Sequence, residues 1–462
     1  MSSKAAKQPA LSNRQLLLKE TKATLALALP LVGTQLSIMA MSVTDTIMAG
    51  RLSTVDLGAV ALGSAIYVPI FLLNLGIILG ITPVVAQHHG AKRHSDVNAV
   101  FMQGLYLSVM LSAISWVLLK QTPLLLASLD IDTELAKRSG DYLGNLILGL
   151  PAIYAFLSLR FVATGVGNVM PVLLILGVGV FLNGFLNWAF MYGNLGINQM
   201  GAAGCGLATA LVYVAVALSL LAHMLLSNHY QPYHFRLTLP PLNPAILKEI
   251  LHIGLPNGLS SFMEVALFAS VALAMGTLGE TPIAAHSVAL NIAALAFMIP
   301  VGLSIAATTR VAHAAGKGDL CAIKHSAYAA TGLAIVIMSL TSITLFLFPH
   351  AIATVYTNAA DVQELAAKLI VLAAIFQVWD GIQVTMLGAL RGLKDTRVPM
   401  VNNFIAYWGV GLTTGYLFGI QYDYGPEGLW AGLIAGLATA AVFHCLRFYR
   451  QTKAMSENII EG

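Results

Sequence analysis

Charge is what this chain has least of. Asp, Glu, Lys and Arg supply 10% of its 462 residues, against roughly 25% in an ordinary soluble domain. With 58% hydrophobic residues, it carries more apolar surface than a globular core can hide, so lipid is the expected solvent. Cysteine is nearly as scarce. Cys205, Cys321 and Cys445 have no paired spacing, which excludes a disulfide framework and a zinc site. No GxxxxGK[ST] loop is present to supply a built-in ATPase, and neither HExxH nor GxSxG is there to supply a hydrolase, so the chain does not read as an enzyme. A formal charge of +4 is small, and no nucleic-acid partner is expected. Nor is a cleavable signal peptide. The first apolar run follows a polar leader (1–22), is too long for an h-region and lacks a small-residue cleavage site.

What is present is a series of apolar runs about 20 residues long, the length that crosses a bilayer. Twelve are legible: 24–49, 57–84, 98–121, 141–163, 170–193, 202–226, 248–276, 283–309, 326–349, 364–389, 398–420 and 427–448. The longest polar break, 227–247, has prolines at 240, 241 and 244 and reads as a linker. It divides the chain into a first unit (1–226) and a second (248–462), each with six spans. Basic residues sort with this count. Nineteen, Lys4, Lys7, Arg160 and Arg391 among them, fall to the amino terminus, the even-numbered loops and the tail, and five to odd loops. That bias places both termini in the cytoplasm and the chain in the cell (inner) membrane.

The two halves repeat. Pro30 and Pro256, Gly50 and Gly276, Val85-Ala86 and Val311-Ala312, and Gly90 and Gly316 are each 226 apart; Pro171 and Pro399, and Gly204 and Gly432, are 228 apart. An even number of spans per half makes both halves enter the membrane the same way. The expected fold is therefore an all-α polytopic membrane protein, twelve transmembrane helices in two pseudo-symmetric six-helix lobes around a central cleft.

Nearly all acids lie in loops or span ends, but Asp45, Glu264 and Asp380 do not. Their repeat mates are Val271, Ile38 and Ala152. An acid required by the shared architecture would recur, so these point to a one-sided function, although a hydrogen-bonded structural acid remains the alternative. A carboxylate inside a span costs ~2.5–3.5 kcal/mol on insertion scales, which makes each one a candidate site. Glu264 and Asp380 each lie about 16 residues into their spans, near the bilayer midplane. Around Glu264 stand Asn257, Ser260 and Ser261; around Asp380 stand Gln377, Gln383 and Thr385. Such oxygens suit Na⁺, and buried carboxylates equally suit protons. Asp45 lies ~30 Å along its helix, either as an acid at a wet helix end or as counter-charge for a cationic substrate. Further candidates for substrate or proton binding are Gln35, Asn183 and Asn187 on one helix face, and His286 and Asn291, within reach of Glu264. Met39, Met41, Phe262, Met263, Trp379 and Met386 fit flat organic cations or ordinary helix interfaces equally well.

The run Val43-Thr44-Asp45-Thr46-Ile47-Met48-Ala49-Gly50 nearly reproduces VDTxMAG. With it come Gly254 to Glu264, the Gln377…Asp380 pair and Leu390-Arg391-Gly392-Leu393-Lys394-Asp395-Thr396-Arg397. Together these resemble the multidrug and toxic compound extrusion (MATE) family, NorM-type branch, over essentially the full chain. The resemblance implies export of cationic drugs and dyes against inward Na⁺ or H⁺. It implies cation coupling at Glu264 and Asp380, which would be the metal ligands if Na⁺ is the ion, and drug or proton handling at Asp45. His286 falls where relatives carry Gln or His lining that cavity. Phe376 stands where some relatives have tyrosine, which removes one oxygen from an ion shell. No cofactor is expected beyond the coupling ion, and no partner beyond small amphipathic cations and lipid; a monomer suffices. A flippase for lipid-linked saccharides would need interior cations, which the spans are read as lacking, and a channel or sensor would need no uphill transport.

Overall fold

The computed structural model describes residues 13–128, 131–237 and 241–461; Lys4, Lys7 and Pro240 lie outside the described residues. Among those described there are helices and no strand, as lipid requires of a backbone that must satisfy its own hydrogen bonds. In chain order the helices are α1 (Asn13–Leu52), α2 (Thr54–Leu79), α3 (Ile81–Gly90), α4 (His94–Lys120), α5 (Thr122–Ser128), α6 (Thr133–Leu146), α7 (Leu150–Gly165), α8 (Met170–Phe190) and α9 (Ala202–Leu226). The second half holds α10 (Pro244–Leu278), α11 (Glu280–Gly316), α12 (Leu320–Leu347), α13 (Pro349–Tyr356), α14 (Ala360–Gly392), α15 (Arg397–Phe404), α16 (Thr413–Tyr416) and α17 (Gly425–Glu461).

Among the described residues, eleven helical runs are long and apolar enough to cross a bilayer, with α2–α3 and α6–α7 each forming one crossing. The remaining crossing, 397–421, is continuous but takes π-helical form at Ile405–Leu412 and Leu417–Gln421, on either side of α16. The short helices α5 and α13 follow the third crossing of each half and begin 227 residues apart, a further trace of the repeat.

Each half builds its own apolar core, one around Tyr154, Phe156 and Phe161, the other around Phe376, Tyr407 and Trp430. The described stretch 228–235 between them is docked on the first lobe. Tyr230, Tyr233 and Phe235 are buried, and Phe235 stacks on Phe101 at 4.6 Å. Burial raises the Tyr233 phenol above its ordinary pKa, and its oxygen shares a hydrogen bond with His89 Nδ1 at 2.7 Å.

The lobes meet along a seam that obeys the repeat. Gly76 of α2 lies against Gly258 of α10, and Gly302 of α11 lies against Val32 of α1; Gly302 is the repeat mate of Gly76 and Gly258 that of Val32, each at an offset of 226. Gly90 meets the His313 backbone while Gly316 meets the Gln87 backbone, again related by 226. Repeated glycines therefore sit where a pseudo-twofold axis brings backbones too close for a Cβ. Hydrogen bonds reinforce the seam: Asn257 Nδ2 to the Gly76 carbonyl at 3.2 Å, Gln87 Nε2 to the Gly392 carbonyl at 3.0 Å, and Arg310 to Glu20 at 2.6 Å. All these residues belong to the halves of their helices nearer the ends of the chain. Glu20 belongs to the expected polar leader, whose helical part carries it onto α11 and α12.

Two arginines depart from the sequence expectation. Arg160 lies on α7 and Arg391 in the last turn of α14, both buried, not in loops. The spans therefore do hold interior cations. Each has a partner: Arg160 donates to Gln35 Oε1, and Arg391 Nε to Asn257 Oδ1 at 2.8 Å.

Candidate functional site

Two clusters of polar groups lie inside the lobes, one on each side of the cleft. In the first lobe, Asp45 of α1 faces α8 and α9. Asn183 and Asn187, four apart on α8, donate their amides to Asp45 Oδ1 at 3.0 and 2.6 Å. Thr209 of α9 donates to Oδ2 at 3.3 Å, and the Cys205 side chain also reaches the carboxylate. No basic group pairs with Asp45 among the described residues. Only neutral donors touch it, so no protein charge compensates the carboxylate when it is ionised, the arrangement a cation-binding carboxylate needs. Asn187 Oδ1 is buried without a protein partner beside it. Gln35 stands elsewhere in this lobe, occupied by the buried Arg160 guanidinium.

In the second lobe, Asp380 of α14 is 3% exposed, and its Oδ1 has no protein partner. Glu264 of α10 is half-buried and makes no hydrogen bond or ion pair with any described residue. The two carboxyl groups lie within electrostatic reach of each other and of Tyr407. Gln377 and Gln383, three residues to either side of Asp380, turn apart. Gln377 Oε1 accepts from Thr341 at 3.0 Å, while Gln383 Nε2 donates to the Tyr407 oxygen at 2.7 Å. Each amide keeps one buried atom unpaired, as does the Ser260 hydroxyl. Two acids and a phenol, with the Gln383 amide bonded to the phenol, thus come together from α10, α14 and the eleventh crossing with no basic partner among the described residues. Such a set can bind and release a small cation or a proton.

Other sequence candidates lie apart. Asn257 is spent on the seam, between Gly76 and Arg391. Ser261 and Thr385 bond backward to their own helices. His286 is buried with its Nδ1 accepting from Trp430 Nε1 at 3.2 Å, one aromatic layer behind Phe376. Asn291 is exposed, and its amide donates to the Ser287 carbonyl on its own helix. Met41 and Met386 are core residues, whereas Phe262 and Trp379 are exposed. Thr209 and Tyr407 were not legible as site residues. Thr209 is one of many span hydroxyls, and Tyr407 lies in a crossing without acids.

Comparison with known proteins agrees with this architecture. The family profile described as MatE matches residues 30–189 and 256–417, beginning at the repeat mates Pro30 and Pro256. The multidrug resistance protein NorM of Photobacterium profundum is 35% identical over 434 residues, 93% of this chain and 95% of its own. The multidrug resistance protein MdtK of Yersinia pseudotuberculosis serotype O:1b is 37% identical over the same shares. Among solved structures, an outward-facing multidrug resistance MATE family transporter of the MOP superfamily superposes with a TM-score of 0.87. It is 23% identical, over 97% of this chain and 100% of its own. A MATE protein crystallised in a bent conformation gives 0.88 at 22% identity, over 97% and 99%. The shared fold is that of twelve helices in two lobes.

Proposed function

The chain belongs to the MatE family, and from that premise we propose that it is a secondary active efflux antiporter, exporting organic cations in exchange for Na⁺ or H⁺ by alternating access. The relatives are named for multidrug resistance, which supports drugs and dyes as the substrate class. The observation that carries the reading is the pair Glu264 and Asp380: acids inside membrane-spanning helices, within electrostatic reach, with no basic partner among the described residues. Asp45, held by neutral donors, is the counter-charge in the other lobe. Binding of an ion at one lobe and a drug cation in the cleft then compete through charge. Movement of one charge down ~100 mV releases ~2.3 kcal/mol, before any concentration term. No chemical conversion is involved.

With both termini cytoplasmic, the packed seam lies on the cytoplasmic side, and this is an outward-facing arrangement. The opposite state requires the Gly76–Gly258 and Gly302–Val32 contacts to part together, because the repeat couples them. Export of an anionic lipid-linked sugar is not favoured, since the interior cations Arg160 and Arg391 are engaged by Gln35 and Asn257.

The test is transport of ethidium in proteoliposomes under Na⁺ and H⁺ gradients imposed separately. Glu264→Gln and Asp380→Asn should each abolish uphill export while the protein still inserts and folds. Full activity in both variants ends the assignment.

A further inference from the structure

Deeper in the second lobe, α14, the eleventh crossing and α17 enclose polar atoms that no protein group satisfies. They are Oδ1 of Asp380, Oε1 of Gln383, both amide atoms of Asn403 and Nε2 of His444. Asp380 is 3% exposed, and the other three residues 0%. They are connected. Gln383 Nε2 donates to the Tyr407 oxygen, and the Gln383 carbonyl lies 3.4 Å from His444 Nδ1. Asn403 stands one turn from Tyr407 and one turn from Pro399, whose carbonyl also reaches the His444 ring. One turn beyond His444, Arg447 donates to Asp395 at 2.6 Å and is 36% exposed, so solvent on the terminal side of the lobe begins one helical turn past the row. The eleventh crossing is π-helical from Ile405, where Tyr407 enters the row, and such bulges recur at functional sites.

The atom types identify the occupant. Native interiors pair their buried polar atoms, with ordered water where protein cannot reach. Asp380 Oδ1, Gln383 Oε1 and Asn403 Oδ1 accept hydrogen bonds, whereas Asn403 Nδ2 donates. A dehydrated Na⁺ would engage only the oxygens and leave Asn403 Nδ2 and its hydrogens without a partner. Water takes both roles. His444 Nδ1 faces a carbonyl and therefore carries the hydrogen, which leaves the Nε2 lone pair to take a proton.

We propose that Gln383, Asn403, Tyr407 and His444 hold a file of bound water that carries protons between Asp380 and the terminal end of the second lobe. A proton leaves the Asp380 carboxyl oxygen for the first water, each water passes one of its own, and His444 Nε2 takes the last and hands it to a water at the terminal end of the file. Only O–H and N–H bonds form and break. Glu264 and Tyr407 face the Asp380 end; Arg391, Asp395 and Arg447 face the His444 end. The row lies within one lobe, and the coupling ion it serves is H⁺. The proposal rests on the reading of Asp380 as a coupling acid and names its ion. Asn403 and His444 are positioning and relay groups, not part of the drug site.

The test measures ethidium-driven proton flux in proteoliposomes with a pH dye inside, beside ethidium affinity in detergent. Asn403→Leu and His444→Phe should each lower proton flux at least tenfold with the ethidium Kd unchanged within twofold. Asn403→Ser, which leaves room for water, should return flux to within threefold of the parent. Normal flux in both variants while Asp380→Asn is inactive overturns the relay and spares the coupling acid. Normal flux in Asp380→Asn overturns the reading beneath it. Failure of serine to restore flux, or ethidium transport driven by Na⁺ without proton movement, overturns the relay. Should Asn403→Leu not assemble, radiolytic footprinting of the unaltered protein reads the same feature. Tyr407 and His444 should be labelled although both are fully buried, and absence of label on both overturns the water file.

Discussion

Gly258→Val should open the terminal side of the molecule. A Cβ at Gly258 falls 2.5 Å from the Leu73 carbonyl oxygen and 3.2 Å from Leu73 Cδ1. The leucine side chain can rotate away, but the carbonyl belongs to α2 and cannot. Carbon–oxygen contacts settle at about 3.3–3.6 Å, so the helices must part by about 1 Å. Overpacking of this kind costs about 1–3 kcal/mol, and the cost falls only on the state in which the seam is closed. The balance between closed and parted seams should therefore shift about 5- to 150-fold. Spin labels at Arg93→Cys and Lys317→Cys, exposed positions in opposite lobes, report that balance as a distance distribution. The measurement is made with the exposed Cys321 replaced by serine. A longer-distance population should appear in Gly258→Val. Gly332→Val is the control, because a Cβ there meets nothing within 4 Å and the position is exposed. An unchanged distribution in a folded Gly258→Val protein, or the same change in Gly332→Val, refutes the seam as the closed gate.

Glu20→Ala should move the same distribution in the same direction, because it strips Arg310 and Ser326 of their partner on α1 and leaves a part-buried guanidinium unpaired. Asp45→Asn should weaken ethidium binding at least tenfold, measured by fluorescence polarisation, and leave an uncharged substrate unaffected. Equal loss for both substrates would make Asp45 a structural acid. Asn187→Leu removes the 2.6 Å donor to Asp45 and should lose about 1.5–3 kcal/mol of charge-assisted bonding, seen as loss of ethidium transport with insertion retained; wild-type transport would contradict it.

The crossings and the repeat were legible because lipid leaves little choice: apolar runs of bilayer length must be helices, and matched Pro and Gly at a constant offset mark a duplication. The structure adds why those glycines repeat, since Gly90 and Gly316 occupy equivalent positions at the lobe contact. The Asp45 cluster was half legible. Asn183 and Asn187 share a helix face by spacing alone, but their common target is a tertiary fact. Sequence could not say how each polar group is employed. Asn257 sits seven residues before Glu264 yet serves the seam, Asn291 turns to its own backbone, and Arg160 is buried where charge sorting had counted it as a loop residue. Asn403, Tyr407 and His444 were missed for a simpler reason. The comparison of repeat mates was applied to acids only, although their mates at an offset of 228, Ile175, Gly179 and Val216, are as apolar as those of the acids.

The most direct test of the coupling acids separates drug accumulation from drug exchange. In proteoliposomes carrying the Glu264→Gln, Asp380→Asn double variant, labelled ethidium should still exchange with unlabelled ethidium across the membrane, because the cleft and Asp45 are intact, yet no imposed ion gradient should drive it uphill. A double variant that still concentrates ethidium against its gradient would contradict the account.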